Sequence, residues 1–536
     1  MSLLTLVLCA ALTLFLCRCI YRITLHPLSK IPGPLLNCIS SWPDFFSAAS
    51  GDRHVRLWQL HEIYGPTVRI APNRVSTNTI AAFKSIYDAR ANVQQGPLYR
   101  TFIASNRGRV DLLDSEGEVH SRKRKIISRA FSEKGLRLKE DSIIEHQNTW
   151  LEEVTKTLQD GGDHEAGHMW TAPVNMSEWL PYLTTDIVGE VGFGKSFELT
   201  TNKRFRFLPQ AFKGLVTTNF MVGHLPPTLQ SGLNSVLKSP IMSLVIPPEV
   251  LNFDKFTNEL ISERVAQELS ESPATAFEKG NDDFVTLFRD EDGGLSTSSI
   301  DEIKSEATTL LVAGSDTVST AISGLLFYLT HNPRCLEKLN VEIRSRFSTV
   351  VDIRRGYELS GAKYLRACID ETLRMSPPTP GYLGRSVLEG GITIDGQYFP
   401  AGVELGAPVY ALHHNSDYYP RPNDFLPERW LQEIDGKPRA EVISQDPALA
   451  RAAFAAFSTG RHGCAGKEFA YLEITLFIAR LVYQYNIQLA DDEKKRSVGE
   501  GQGPYGPWGS RIRGHFQIQD HFTGNGYGPW IQFRRR

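Results

Sequence analysis

From Ala307 to Thr330 the only charged side chain is Asp316. A run this long and this bare of charge has two homes, a bilayer or the inside of a large protein. It is rich in Thr, Ser and Gly and is flanked by ordinary soluble sequence, which favours a helix crossing a protein core. There a lone carboxylate is costly unless it has a partner or a task. Thr317 follows it, and a helical Thr hydroxyl can bond the carbonyl four residues back, here Ala313. Gly314 removes a side chain from the same turn. The combination predicts a small polar notch in an apolar wall, large enough for O2 and a water. A kinked helix with a satisfied acid explains the same residues equally well, so the run constrains the fold before it constrains a chemistry.

A second segment reads Phe457-Ser-Thr-Gly-Arg-His-Gly-Cys464-Ala-Gly466. Glycines let backbone come close to something flat and bulky. An apolar helix pattern begins near Lys467, and its positive end would face the sulfur and favour a thiolate. Thiolate is a haem-iron ligand. Taken alone, the segment fits an inert cysteine in a tight turn as well, because free cysteine mostly behaves as a small hydrophobe. Glu371 and Arg374 are three apart on a helical pattern, share one face and can pair. On a surface such a pair would contribute little.

Together these segments resemble the cytochrome P450 family. The cysteine loop matches F-x-x-G-x-R-x-C-x-G at Phe457, Gly460, Cys464 and Gly466, and departs from it at His462, where the family usually has Arg. Glu371-Thr-Leu-Arg374 matches the ExxR element, Pro427-Glu-Arg429-Trp430 the PER(F/W) element, and Ala313-Gly314-Ser-Asp316-Thr317 the (A/G)Gx(D/E)T element. With Pro32-Gly33-Pro34 they stand in order over nearly the whole chain.

The resemblance implies a mainly α fold with a small β region, holding haem b with Cys464 as the axial ligand of its iron. Phe457, Gly460, His462 and Gly466 would frame that cofactor. Thr317 and Asp316 would manage protons during O2 activation. Glu371, Arg374 and Arg429 would form a buried network whose role is structural. Haem propionates would be held by His120 and Arg124, which stand at the family's W-x-x-x-R, by Arg385 after the ExxR helix, and by His462. Histidine is shorter than arginine and titratable, which makes His462 the weaker anchor.

The 536 residues carry a net charge of −2, so no nucleic-acid footprint exists. Seven cysteines are scattered, with no disulfide framework and no CxxC metal site. A reducing, cytosol-facing catalytic domain fits them. From Met1 through Cys17 there is no charge, and Arg18 and Arg22 follow. That reads as one transmembrane helix whose C-terminal side is cytosolic, because a signal peptide carries its positive charge before the apolar stretch. The resulting division is an anchor over 1–22, a Pro-rich linker over 23–45 and a catalytic domain over 46–536. The linker would be a stiff spacer holding the body off an endoplasmic reticulum membrane. Asn175-Met-Ser177 fits a glycosylation sequon that a cytosolic domain would not use.

Helical patterns are clearest over 117–131, 141–158, 178–192, 297–331, 361–376 and 467–485. Short strands are expected at Val68–Pro72, Arg74–Thr77 and Ile392–Gly396, with 515–519 and 530–533 as a late pair. Segments 271–282 and 499–514 read as flexible or lid-like. Pocket candidates are 97–113, Leu310–Ala313, Thr379–Leu383 and Thr523–Gly528, with Leu311, Pro380 and Tyr382 among their apolar side chains.

The expected reaction is insertion of one oxygen atom from O2 into an apolar small molecule. Electrons would come from NADPH through a separate P450 reductase, with cytochrome b5 as an optional second donor. The style of the two ends resembles fungal microsomal members used in secondary metabolism. Oxidative ring expansion, coupling or isomerisation on the same cofactor is the alternative chemistry, and a non-catalytic haem binder is the third reading. The basic run Arg122-Lys-Arg-Lys125 with Arg129 should face solvent in part, as a solvated face or as a docking patch for an acidic reductase.

Overall fold

A computed structural model describes residues 2–105, 110–156, 170–227, 229–230, 248–270, 288, 297–434, 436–438, 446–501 and 512–536. Segment 271–282 and the greater part of 499–514 lie outside the described residues. The chain is mainly α with small sheets. The uncharged run lies in one helix, Thr297–His331. Within Ile300–His331 the apolar 18-residue stretch long enough to span a membrane is 72% buried, so it is a core helix and not a second membrane span. It packs along the helix Met176–Phe193, and both contribute to one continuous apolar core that also takes in the helix Lys363–Met375 and the helix Lys467–Gln484. The other expected helices appear at Gly117–Ala130 and Glu133–Thr155, the second starting earlier than its apolar pattern suggests because Ser132 caps it through Gly135 N–H. The sequon at Asn175 is a helix cap, its side chain accepting from Ser177 N–H at 3.2 Å.

A five-stranded sheet runs Thr67–Ala71, Arg74–Thr77, Glu404–Gly406, Arg385–Val387, Val93–Gln95 and covers a smaller second core. The late strand pair differs from expectation. Ile518–His521 folds back on Thr523–Gly526, whereas Trp530–Arg535 pairs with Tyr485–Leu489. The reason is local: Phe522 takes a positive φ of 81°, which closes a tight hairpin and sends the chain on to a different sheet.

The N-terminal helix Leu3–Thr24 contains an 18-residue stretch of mean hydropathy 2.4 and has no buried residue, which makes it long and apolar enough to span a membrane. The stretch after it is no free spacer. Leu28 and Ile31 are buried in the second core. Arg69, itself buried, donates to the carbonyls of Arg22 at 2.7 Å and Leu28 at 3.4 Å, and Asn37 donates to Ile70 O at 2.8 Å. A side chain at Gly33 would lie 2.3 Å from Arg69 O, so only glycine allows this approach. The Pro-rich stretch is a strap bound to the body.

Candidate active site

The sequence-singled segments converge on one cavity of about 380 Å³. Its floor is the cysteine loop: Phe457, Gly463, Cys464, Ala465 and Gly466 all line it, and the Cys464 thiol faces it. Cys464 N–H donates to Phe457 O at 2.8 Å, which closes the loop, and Gly466 caps the helix Lys467–Gln484. Burial pushes the thiol pKa up, and the Gly466 N–H, Arg124 and Lys467 pull it back. The helix start thus favours the thiolate, as expected, against the opposing effect of burial. A β-carbon on Gly466 would meet no protein atom within 4 Å.

Gly460 departs from expectation. It does not line the cavity. Its φ is 69°, and a β-carbon there would stand 1.8 Å from Tyr87 O, so this glycine seats the loop against the neighbouring helix. Gly314 likewise makes room for protein: a side chain would stand 2.7 Å from Val188 Cγ2, on the helix packed alongside.

Thr317 lines the cavity and donates its hydroxyl proton to Ala313 O at 2.7 Å. Asp316 turns away into the protein, 5% exposed. Burial raises its pKa, opposed by Lys213 and by the Thr523 hydroxyl.

The four cation candidates all line the cavity. Arg385 is buried, held over the Tyr87 and Tyr99 rings, with Tyr99 Oη 3.2 Å away. Arg124 donates to Gly463 O in the cysteine loop. His120 and His462 lie against each other, ring centroids 4.3 Å apart. The two positions where this chain departs from the expected pattern are thus one contact. Gln95 is 3.2 Å from His462 Nδ1 and Glu116 is 3.4 Å from His462 Nε2. Burial lowers the pKa of both rings; for His120, His462 and Arg124 add to it and bring it to about 4.

Of the basic run, Lys123 is buried between Glu306 at 2.7 Å and Glu302 at 2.8 Å, and Arg122 pairs with Glu302 at 2.6 Å. Lys125 and Arg129 remain exposed.

Beneath the floor, Glu371 accepts from Arg374 at 2.9 Å, Arg429 at 3.0 Å, Trp430 Nε1 at 2.9 Å and Leu426 N–H at 3.0 Å. The three charged side chains are fully buried. Burial pushes the Glu371 pKa up, but Arg374 and Arg429 together bring it to about 2. Sequence reasoning missed His413. Its Nδ1 lies 3.0 Å from Arg374 O and its Nε2 accepts from Ala455 N–H at 2.8 Å, so one buried ring ties the network to the start of the cysteine loop.

The walls come from Tyr99, Phe102, Leu112, Leu310, Val312, Ala313, Thr379 and Leu383, as expected, and from Val188, Val191, Leu215, Val216 and Phe522, whose apolar character reads in sequence as ordinary core. Leu311 points into the core, fully buried. Pro380 is not in the wall. Tyr382 belongs to another cluster and donates to Val75 O at 3.1 Å. Of Thr523–Gly528 only Thr523 reaches the cavity.

A thiol and a side-chain-free glycine on the floor, an apolar wall, and basic or imidazole side chains at one edge fit a large planar carboxylated group such as haem. This defines a helical haem-thiolate class of protein. The cytochrome P450 family model matches residues 32–504. The chain is 35% identical to the cytochrome P450 monooxygenase AKT7 of Alternaria alternata, covering 96% of this chain and 94% of that one. It is 32% identical to the cytochrome P450 monooxygenase atnE of Emericella nidulans (97% and 94%) and 32% identical to fscF of Fusarium equiseti (99% and 96%). The chain belongs to the cytochrome P450 family, whose members bind haem b through a cysteine thiolate. It is a monooxygenase by that membership, which sets aside the non-catalytic reading, and it requires a redox partner and a small-molecule substrate.

Proposed function

We propose that this monooxygenase inserts one oxygen atom into an apolar fungal secondary metabolite, with Cys464 as the ligand of the haem iron. The observation that carries the reading is the Cys464 thiol facing the same apolar chamber as Thr317. The bound haem supplies activation of O2. Around it, the chain's own residues have separate tasks. Arg124, Arg385, His120 and His462 hold the propionate edge. The wall residues exclude water and orient the substrate. Thr317, its proton given to Ala313 O, keeps two lone pairs with which to hold a water in the notch. Asp316 connects that site to solvent protons. Glu371, Arg374, Arg429 and His413 keep the floor in place. Electrons come from NADPH through a reductase, with cytochrome b5 as an optional donor, steered by Lys125 and Arg129. Residues 1–22 anchor the chain in the endoplasmic reticulum with the body (46–536) in the cytosol and 23–45 as its strap.

The test is spectroscopic. Carbon monoxide on the reduced protein should give the red-shifted Soret band of a thiolate–haem complex, and Cys464→Ala should abolish it. A band that persists unchanged in that variant would overturn the ligand assignment.

A further inference from the structure

Thr523 stands where two otherwise unexplained features meet. It lines the chamber from the hairpin that follows Phe522. Behind it lies the Asp316 carboxyl, close enough for the Thr523 hydroxyl to act on it, and Asp316 Oδ2 and Thr523 Oγ1 are both buried with no hydrogen-bond partner in the protein. Buried polar atoms left without a partner are costly, and two of them side by side call for an explanation. The arrangement is fixed: Thr320, one helical turn after Asp316, donates to Gly524 O at 2.8 Å, and Gly524 N–H donates to Pro378 O at 2.6 Å. The hairpin is therefore pinned to the central helix beside the acid.

A route for protons needs groups that can accept and donate. Thr317 has one proton, and it is spent on Ala313 O, so Thr317 can receive a hydrogen bond but not extend a chain. The Thr523 hydroxyl carries no such commitment.

We infer that Thr523 is the relay hydroxyl between Asp316 and the chamber, an inference that rests on the monooxygenase reading. The Asp316 O–H bond breaks and its proton goes to Thr523 Oγ1, while the proton Thr523 already held passes to a chamber water. The Asp316 carboxylate left behind takes a proton from solvent on the side of Lys213, the charged group that faces it. No electrons move. Because Phe522 and Thr523 both line the chamber, a substrate seated against the hairpin also fixes the relay.

The experiment uses the full holoenzyme. In the resting state without substrate, the infrared carboxyl band of Asp316, assigned by its absence in Asp316→Asn, is titrated with pH. Thr523→Val removes the hydroxyl that favours the charged form and should raise the midpoint by about one pH unit, and Thr523→Ser should restore it. With purified reductase and NADPH, Thr523→Val should raise hydrogen peroxide released per NADPH several-fold, about ten-fold at most, with Thr523→Ser near the parent value and haem content unchanged in both. An unmoved midpoint overturns the contact, and a moved midpoint with unchanged peroxide yield overturns the relay. Failure of the monooxygenase reading would look different: the parent protein itself would reduce no O2 with NADPH, while the infrared result would still decide the Asp316–Thr523 contact.

Discussion

Gly460 and Gly314 read alike in the sequence, as glycines beside reactive residues, yet each makes room for protein. Gly460→Ala must push on the Tyr87 carbonyl and also hold a positive φ. It should shift the cysteine loop and cut haem occupancy, measured by pyridine haemochromogen assay. Gly314→Ala meets only the Val188 side chain and no backbone, so it should fold, with a cost of about 1–3 kcal/mol in urea unfolding. Thr317→Ala is a different kind of change. The residue is in the wall and bonds only Ala313 O, so haem and the carbon monoxide band should persist. Product per NADPH should fall, out of the roughly 100- to 10,000-fold that positioned proton transfer contributes, and peroxide should rise. Thr317→Ser should retain more coupling. Equal coupling in Thr317→Ala would remove the pair from the mechanism.

Among the elements, the helices and the motifs they carry were readable, because charge patterns and family spacings are local. Thr297–His331 was legible to its ends. What the sequence could not supply was direction and partner: Leu311 against Leu310, Tyr382 in another core, the strand pairing past Phe522, and His413. Each depends on residues distant in the chain. The strap shows the same limit, since Leu28 and Ile31 look like any linker apolar residues until they are seen buried and Arg69 is seen holding the Arg22 and Leu28 carbonyls. Two truncations separate anchor from strap. Removal of 1–21 should leave haem and melting temperature unchanged, and make the protein extractable from membranes by salt. It would still carry the exposed Leu35, Leu36, Trp42 and Phe46. Removal of 1–45 should lower the melting temperature strongly, because it leaves the buried Arg69 without the Arg22 and Leu28 carbonyls. Equal melting temperatures would show that the strap contributes nothing.

For the molecule as a whole, acid is the revealing condition. Burial depresses the pKa of His54 and His413 to about 3 and of His515 to about 4. Unfolded, these imidazoles would titrate near 6.5, so below that pH the unfolded chain binds more protons than the folded one. Stability should therefore be full above pH 6.5 and fall steadily toward pH 4, by about 2 kcal/mol per histidine at pH 5. The Glu371 carboxyl, held at about 2, adds its own loss only below about pH 4.5. Melting curves between pH 8 and 5 check this, and a flat profile would contradict it. The strap has one more consequence. Arg69 grips the carbonyl of Arg22, inside the last turns of the anchor helix, and Arg22 donates to Ile39 O. Anchor and body thus turn together like an oar and its blade. The 22-residue helix is about 33 Å long, against a hydrocarbon layer of about 27–33 Å in different membranes. With this helix as the anchor proposed above, its lean, set by bilayer thickness, would become the heading of the whole enzyme over the lipid surface.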